Sequence, residues 1–268
     1  MKESNSMFRK VPGQNDANEL QILLKAIDFD VSCFLRIQLE RVINLVEECI
    51  PMSKIKLVSF DLDGTITDTS FVDSVWLEGI PRLYASKKNL PLDDAKRLVK
   101  REYDKIGRER LEWYDPSYWI ERFGLHVSPK ELLNSFESKI RIFPEVREVL
   151  EEIRLRGLKQ IIVSNARREF VDLEIDKTNI AHYFEQVFSA TSDFGQIKKS
   201  VDIFQKVCNI CRITPGEMIH VGDDRLFDFE IPRKLGIPAF YLDRAGQSKE
   251  KSTIHNLREL NKKLATFG

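Results

Sequence analysis

The sequence predicts an α/β protein built on a doubly wound parallel sheet, with a helical insertion in it and a helical extension ahead of it. Three observations lead there. From about residue 145 onward, short β-branched runs alternate with helix-length segments, the pattern of parallel strands joined by crossover helices. An isolated apolar run, Ile55 to Phe60, precedes a stretch of about seventy residues in which helical signals replace strand signals. Ahead of that run, apolar residues recur at steps of three and four.

Residues 1–18, with Pro12, Gly13, Asn15 and Asp16, read as a polar lead-in. From Glu19 to Ile50 the apolar positions Leu20, Leu23, Leu24, Ile27, Leu35, Leu39, Val42, Ile43, Val46 and Ile50 predict one long helix, or two broken near Asp28 to Asp30. Residues 19–50 would either cover the core of the next domain or serve as a partner helix, and they are the candidate surface for a homodimer. Pro51 closes them, and the strand from Ile55 comes so soon after that residues 1–51 read as an appended domain. Residues 68–140 predict helices near Ser74 to Ala85, Leu92 to Arg110, Pro116 to Phe123 and Pro129 to Ile140, an inserted cap domain. Its aromatics Trp76, Tyr84, Tyr103, Trp113, Tyr114, Tyr118 and Trp119 are expected in its own core. Past Phe143-Pro144 the expected order is helix Glu145 to Arg156, strand Leu158 to Val163, helix Arg167 to Glu174 and strand Gln186 to Ser189. Next come helix Ser200 to Cys211, strand Met218 to Val221, helix Phe227 to Leu235, strand Pro238 to Leu242 and a closing helix Thr253 to Lys263. The sheet domain is thus residues 52–67 and 141–268.

Composition narrows the function. The 42 basic and 42 acidic residues cancel, so no global field draws in nucleic acid or an anionic membrane, and neither is expected as a partner. Cys33, Cys49, Cys208 and Cys211 are too few and too irregular for a disulfide framework, which suits a reducing cytoplasm. Cys208 and Cys211 form a CxxC, but Phe204, Val207 and Ile210 at helical spacing around them predict a buried helix face and no zinc site. A run of eighteen uncharged apolar residues does not occur, and the first residues lack the blocks of a signal peptide, so the expected location is cytoplasmic.

Parallel sheets place ligands at the carboxyl ends of their strands, so the polar residues just past each apolar run are informative. The first strand runs into Asp61, Asp63, Gly64 and Thr65; the second into Ser164 and Asn165; a later one into Gly222, Asp223 and Asp224, with Asp228 one helical turn on. Lys198 and Lys199 stand just ahead of a helix. Two carboxylates so close repel unless a cation, a phosphoryl group or a shared proton engages them.

In this combination the chain resembles the haloacid dehalogenase superfamily of phosphohydrolases from about Lys54 onward. Asp61-Leu62-Asp63-Gly64-Thr65 resembles the first motif, Ser164-Asn165 the second and Gly222-Asp223-Asp224-Arg225-Leu226-Phe227-Asp228 the fourth. Counting back from Ile203-Phe204 makes Lys198 the match to the family lysine, with Lys199 where proline is frequent. The resemblance implies a Rossmann-like core under a helical cap and a cytoplasmic Mg2+-dependent phosphatase acting on a small phosphorylated metabolite. Asp61 would be the nucleophile and Asp63 the general acid and base. Asp61, the carbonyl of Asp63 and Asp223 would hold Mg2+, with Asp228 and Asp224 close by, and Gly64, Thr65, Ser164, Asn165 and Lys198 would receive the phosphate. Arg167 or Arg168 is a further candidate there. A phosphomutase using the same residues, or a non-catalytic module binding a partner through residues 19–50, are the alternatives.

Overall fold

In the computed structural model of the chain, the described residues are 55–264. The expectations for residues 1–51, including the candidate dimer helix and the two cysteines there, lie outside them. Six strands, β1 (Leu57–Phe60), β2 (Lys159–Ser164), β3 (Gln186–Ser189), β4 (Met218–Gly222), β5 (Ala239–Leu242) and β6 (Thr253–Ile254), form one sheet in the order β3-β2-β1-β4-β5-β6. Every pairing is parallel. The strand order reverses between β1 and β4, and the crevice at such a switch point is where doubly wound sheets take their ligands.

Helices cover both faces, and the period-two pattern of the strands says which residues meet which layer. Val58, Phe60, Ile162, Ile219, Val221, Phe240 and Leu242 pack on one side with helices Val146–Leu155, Arg168–Thr178 and Leu257–Leu264. Leu57, Ile161, Val163 and Met218 pack on the other with Ile203, Phe204, Val207 and Cys208 of helix Val201–Cys211. Cys208 is therefore core, as the apolar spacing around it predicts, and Cys211 is half-buried on the same helix.

Between β1 and β2 the chain forms α1 (Ser70–Ser74), a π-helical segment (Val75–Gly79), α2 (Ile80–Lys88), α3 (Leu92–Ile106), a 3-10 turn (Leu111–Tyr114), α4 (Pro116–Phe123) and α5 (Pro129–Asn134). The start of α4 is set by Pro116 at its first position and by Asp115, whose side chain accepts from the Ser117 N–H. Ser128 and Glu131 form a reciprocal capping box on α5. The aromatics pack on one another, with Trp119 fully buried and its indole N–H donating to the Trp113 carbonyl at 3.2 Å. Phe170, from the helix after β2, joins this cluster and stacks on Trp76 at 5.6 Å. The two chain segments entering and leaving the insertion are joined: Thr67 and Ile142 form an antiparallel bridge, and the Asp68 N–H donates to the Arg141 carbonyl at 2.9 Å.

The helices of the sheet layers are α6 (Val146–Leu155), just ahead of β2, and then α7 (Arg168–Thr178), α8 (Ala190–Asp193), α9 (Val201–Cys211), α10 (Ile231–Lys234) and α11 (Leu257–Leu264). Several elements differ from expectation, among them the helix from Pro129, which stops at Asn134, short of Ile140, and the helix expected from Ser74, which opens with the π-helical segment Val75–Gly79. The closing helix starts only at Leu257, because Thr253 and Ile254 pair with Tyr241 and Leu242 as β6. The segment after β4 opens as a π-helical turn, Arg225–Glu230, before Pro232 takes up the start of α10.

Candidate active site

Asp61 comes directly after β1 and is buried, with its N–H donating to the Val221 carbonyl on β4 at 2.9 Å. The turn after it is tight. The amides of Thr65, Ile66 and Thr67 donate to the Leu62 carbonyl, and the Gly64 N–H donates to the Thr67 carbonyl at 2.7 Å. Gly64 has φ +81°, and a Cβ there would overlap the Asp223 carboxylate, so glycine answers both the backbone and the close approach. Thr65 donates its hydroxyl to Asp61 Oδ2 at 3.3 Å.

The lysine in this site is Lys199. Its Nζ lies 2.5 Å from Asp61 Oδ1 and also bonds Asp228 Oδ1, and it is almost fully buried. Lys198 instead reaches outward to Glu109 of the insertion, 2.5 Å away, and over the Phe227 ring. This corrects the motif-based choice, and the cause is local. Ser200 caps α9 by accepting from the Ile203 N–H, and the Lys199 N–H donates to Asn165 Oδ1 at 2.7 Å, which together turn Lys199 toward the sheet. Asn165 thus holds the lysine backbone through its side chain.

Asp61, Asp223 and Asp228 bring carboxylate oxygens within 4.8 Å of one another, and they can hold a metal ion. These are hard donors that suit Mg2+. Asp224 does not join them: its carboxylate accepts from the Leu226 and Phe227 amides and caps the turn. Asp228 is fully buried and accepts from the Asp224 N–H at 3.0 Å. It is also the end of a buried relay. Ser59 and His220 face each other across β1 and β4, His220 Nδ1 is 2.9 Å from Ser59 Oγ, and His220 Nε2 is 3.1 Å from Asp228 Oδ1. With Asp228 ionised, Nε2 carries the proton and Nδ1 accepts from the serine.

Burial raises Asp61 well above its ordinary value; Lys199 opposes this, while Asp228 and Asp223 add to it. Asp223 is exposed as a residue but turns its carboxylate inward over Gly64, and desolvation and Asp228 push it up to about 7. Burial acts on Asp228 too, but Lys199 and His220 outweigh it and hold Asp228 down to about 2. Burial works against the Lys199 ammonium, and Asp228 and Asp61 overcome it, so its pKa is raised. Lys199 is therefore a fixed positive charge against the Asp61 carboxyl.

Asp63 turns its side chain into a covered corner beside Glu174 of α7. Desolvation pushes Asp63 up to about 6 against the opposing effects of Glu174 and Lys199, and burial raises Glu174 well above its ordinary value. Thr67 donates to Glu174 Oε2 at 2.6 Å. Asp63 Oδ1 and Glu174 Oε1 are both covered and have no donor among the protein groups. Sequence reading missed Glu174, His220 and Ser59. The available signal for Glu174 was its place on the buried face of α7, with Phe170, Val171, Ile175 and Thr178.

Ser164, at the end of β2, is buried, and its Oγ accepts from the Ala166 N–H at 3.0 Å, leaving the hydroxyl proton free to donate. Arg167 pairs with Asp115 of the insertion at 3.0 Å, and Arg168 bonds Asp193 and the Val187 carbonyl.

A family model described as haloacid dehalogenase-like hydrolase matches residues 55–232. The chain is 21% identical over 185 residues to the GMP/IMP nucleotidase YrfG of Escherichia coli (strain K12), covering 67% of this chain and 82% of that one. It is 23% identical over 184 residues to the phosphoglycolate phosphatase of Aquifex aeolicus (strain VF5), covering 68% and 81%. Among solved structures, a HAD phosphatase from Thermococcus onnurineus superposes with a TM-score of 0.70 at 27% identity, covering 78% of this chain and 98% of that one.

Proposed function

The chain belongs to the haloacid dehalogenase-like hydrolases, and from that premise we propose that it is a Mg2+-dependent phosphatase of a small phosphorylated metabolite. The observation that carries this reading is Asp61 held against the Lys199 ammonium at the end of β1, with the Asp63 carboxyl two residues on and the Asp223 and Asp228 carboxylates beside it. Asp61 attacks phosphorus, the bond from phosphorus to the leaving oxygen breaks, and an aspartyl-phosphate forms on Asp61. Asp63 gives its proton to the leaving oxygen. It then takes a proton from the water that attacks the aspartyl-phosphate, and Asp61 and phosphate are released. An acid with a pKa of about 6 can serve in both directions near neutral pH, and a halide leaving group would need no such proton.

Lys199 and the Ser164 hydroxyl supply positive charge and a donor to the phosphoryl oxygens, and Asn165 keeps the lysine in place. Mg2+ bound at Asp61 and Asp223, with the Asp63 carbonyl, would supply further positive charge to the phosphoryl group. Asp228 holds Lys199 from behind and is itself held by His220. The insertion, residues 68–140, acts as a cap: Glu109 and Asp115 reach Lys198 and Arg167 beside the strand ends, which supports closure over the substrate. Asp61→Asn, assayed with aryl phosphates, is expected to abolish phosphate release while the circular dichroism spectrum is kept. Release near the wild-type rate would remove Asp61 as nucleophile.

A further inference from the structure

Arg244 lies just beyond β5, far along the chain from Asp61, and no step of the phosphatase chemistry uses it. Its guanidinium is nonetheless committed on every side. Nε donates to the Gly64 carbonyl at 3.2 Å, Nη2 to the Thr65 carbonyl at 2.7 Å and Nη1 to Glu145 Oε1 at 2.7 Å. Its Cζ sits over the Phe143 ring, 3.4 Å from the centroid. The first two acceptors belong to the turn just past the nucleophile. Phe143 and Glu145 flank the segment by which the chain returns from the insertion, and the Phe143 N–H donates to the Ile66 carbonyl at 3.1 Å.

We propose that Arg244 is a positioning residue, which fixes the turn carrying Asp61 and Asp63 and ties that turn to the returning segment of the helical insertion. The inference rests on the phosphatase reading, since the turn matters through the carboxylates it aims. The geometry favours arginine for a physical reason. The Gly64 and Thr65 carbonyls are the free edge of a turn whose amides are already spent on Leu62 and Thr67. A planar fork with donors at fixed angles can hold both carbonyls and a carboxylate at once, whereas an ammonium offers a single point. Glu145 is buried and fixes the other side of the fork, so the guanidinium has little freedom to let the turn drift. In-line attack tolerates little displacement of the nucleophile, and a shift of about 1 Å can cost on the order of a hundredfold in rate.

The test uses the full chain with an aryl phosphate and Mg2+. Arg244→Lys keeps the charge opposite Glu145 but cannot span both carbonyls. It is expected to fold, to lose about 10- to 100-fold in kcat and to keep KM within about twofold of wild type. Arg244→Ala should lose more, and added guanidinium ion should restore part of its kcat, a rescue that lost packing alone would not show. A folded Arg244→Lys protein with wild-type kcat overturns the inference, as does a loss that falls on KM alone. So does a failure of both variants to fold, which would make Arg244 a structural residue only. A wild-type chain that releases no phosphate sinks the phosphatase reading together with this one, whereas a working wild type matched by Arg244→Lys sinks only this one.

Discussion

Asp63 and Asp223 are carboxyls raised to about 6 and about 7 from an ordinary value of 3.8. Linkage sets the sign of the consequence. The folded protein holds these two protons more tightly than the unfolded chain does, so their contribution to stability is full below about pH 3.8 and is lost as pH rises toward 7. Asp228, held down to about 2, titrates below this window. A bound divalent cation favours the ionised carboxylates and reverses the trend. Thermal melting of metal-free protein is therefore expected to show this contribution falling between about pH 4 and pH 7, and the gain in melting temperature on adding Mg2+ to grow over the same interval. A gain independent of pH would remove Asp223 as a ligand. Side-chain detail at this scale was only partly legible. Asp61, Asp63 and Asp223 announce themselves as acids after apolar runs, but Glu174 is one of four acids in its helix, and Arg244 a basic residue in a loop. The spacing of Glu174 from Phe170 and Val171 marks a buried face but not its neighbour Asp63, and nothing in the type or place of Arg244 says that it grips two carbonyls.

At the scale of elements, the entry to α9 decides which of two adjacent lysines enters the site. The Ser200 cap and the Asn165 side chain turn Lys199 inward, where it is buried between Asp61 and Asp228. Lys199→Met should lower kcat by about two to three powers of ten, the size of effect seen when a preorganised donor is removed. Lys198→Met should change kcat by less than about tenfold, since an exposed ion pair of this kind contributes about 1 kcal/mol or less. Equal losses in steady-state assays of the two variants would refute the assignment. Counting residues back from a hydrophobic pair could not make this choice, because successive residues ahead of a helix point in different directions and the Ser200 cap and Asn165, just past β2, fix the phase. The strands themselves were legible, since β1, β2, β3, β4 and β5 are apolar runs bounded by polar residues. β6 was not: two residues carry no periodicity, and Thr253 and Ile254 become a strand only because Tyr241 and Leu242 stand beside them.

For residues 55–264 taken together, Phe170 is a buried side chain that joins the insertion to the sheet layer. It is almost wholly buried, stacks on Trp76 and lies against Phe71 at 5.7 Å, although it belongs to α7. Phe170→Ala should cost about 3 to 5 kcal/mol, measured by denaturant unfolding, as removal of a buried ring leaves a cavity on both sides of the junction. A cost below about 1 kcal/mol would show that the two layers do not depend on this contact. The layered sheet was legible because its alternation runs over more than a hundred residues, whereas the docking of the insertion was not, because a phenylalanine in a helix gives no hint of which neighbour it meets. The bridge between Thr67 and Ile142 has a wider consequence. The insertion is entered and left at two points that are neighbours in space, so its interior can change in length and sequence with little demand on the frame that carries Asp61, provided the partners of Phe170, Lys198 and Arg167 are kept.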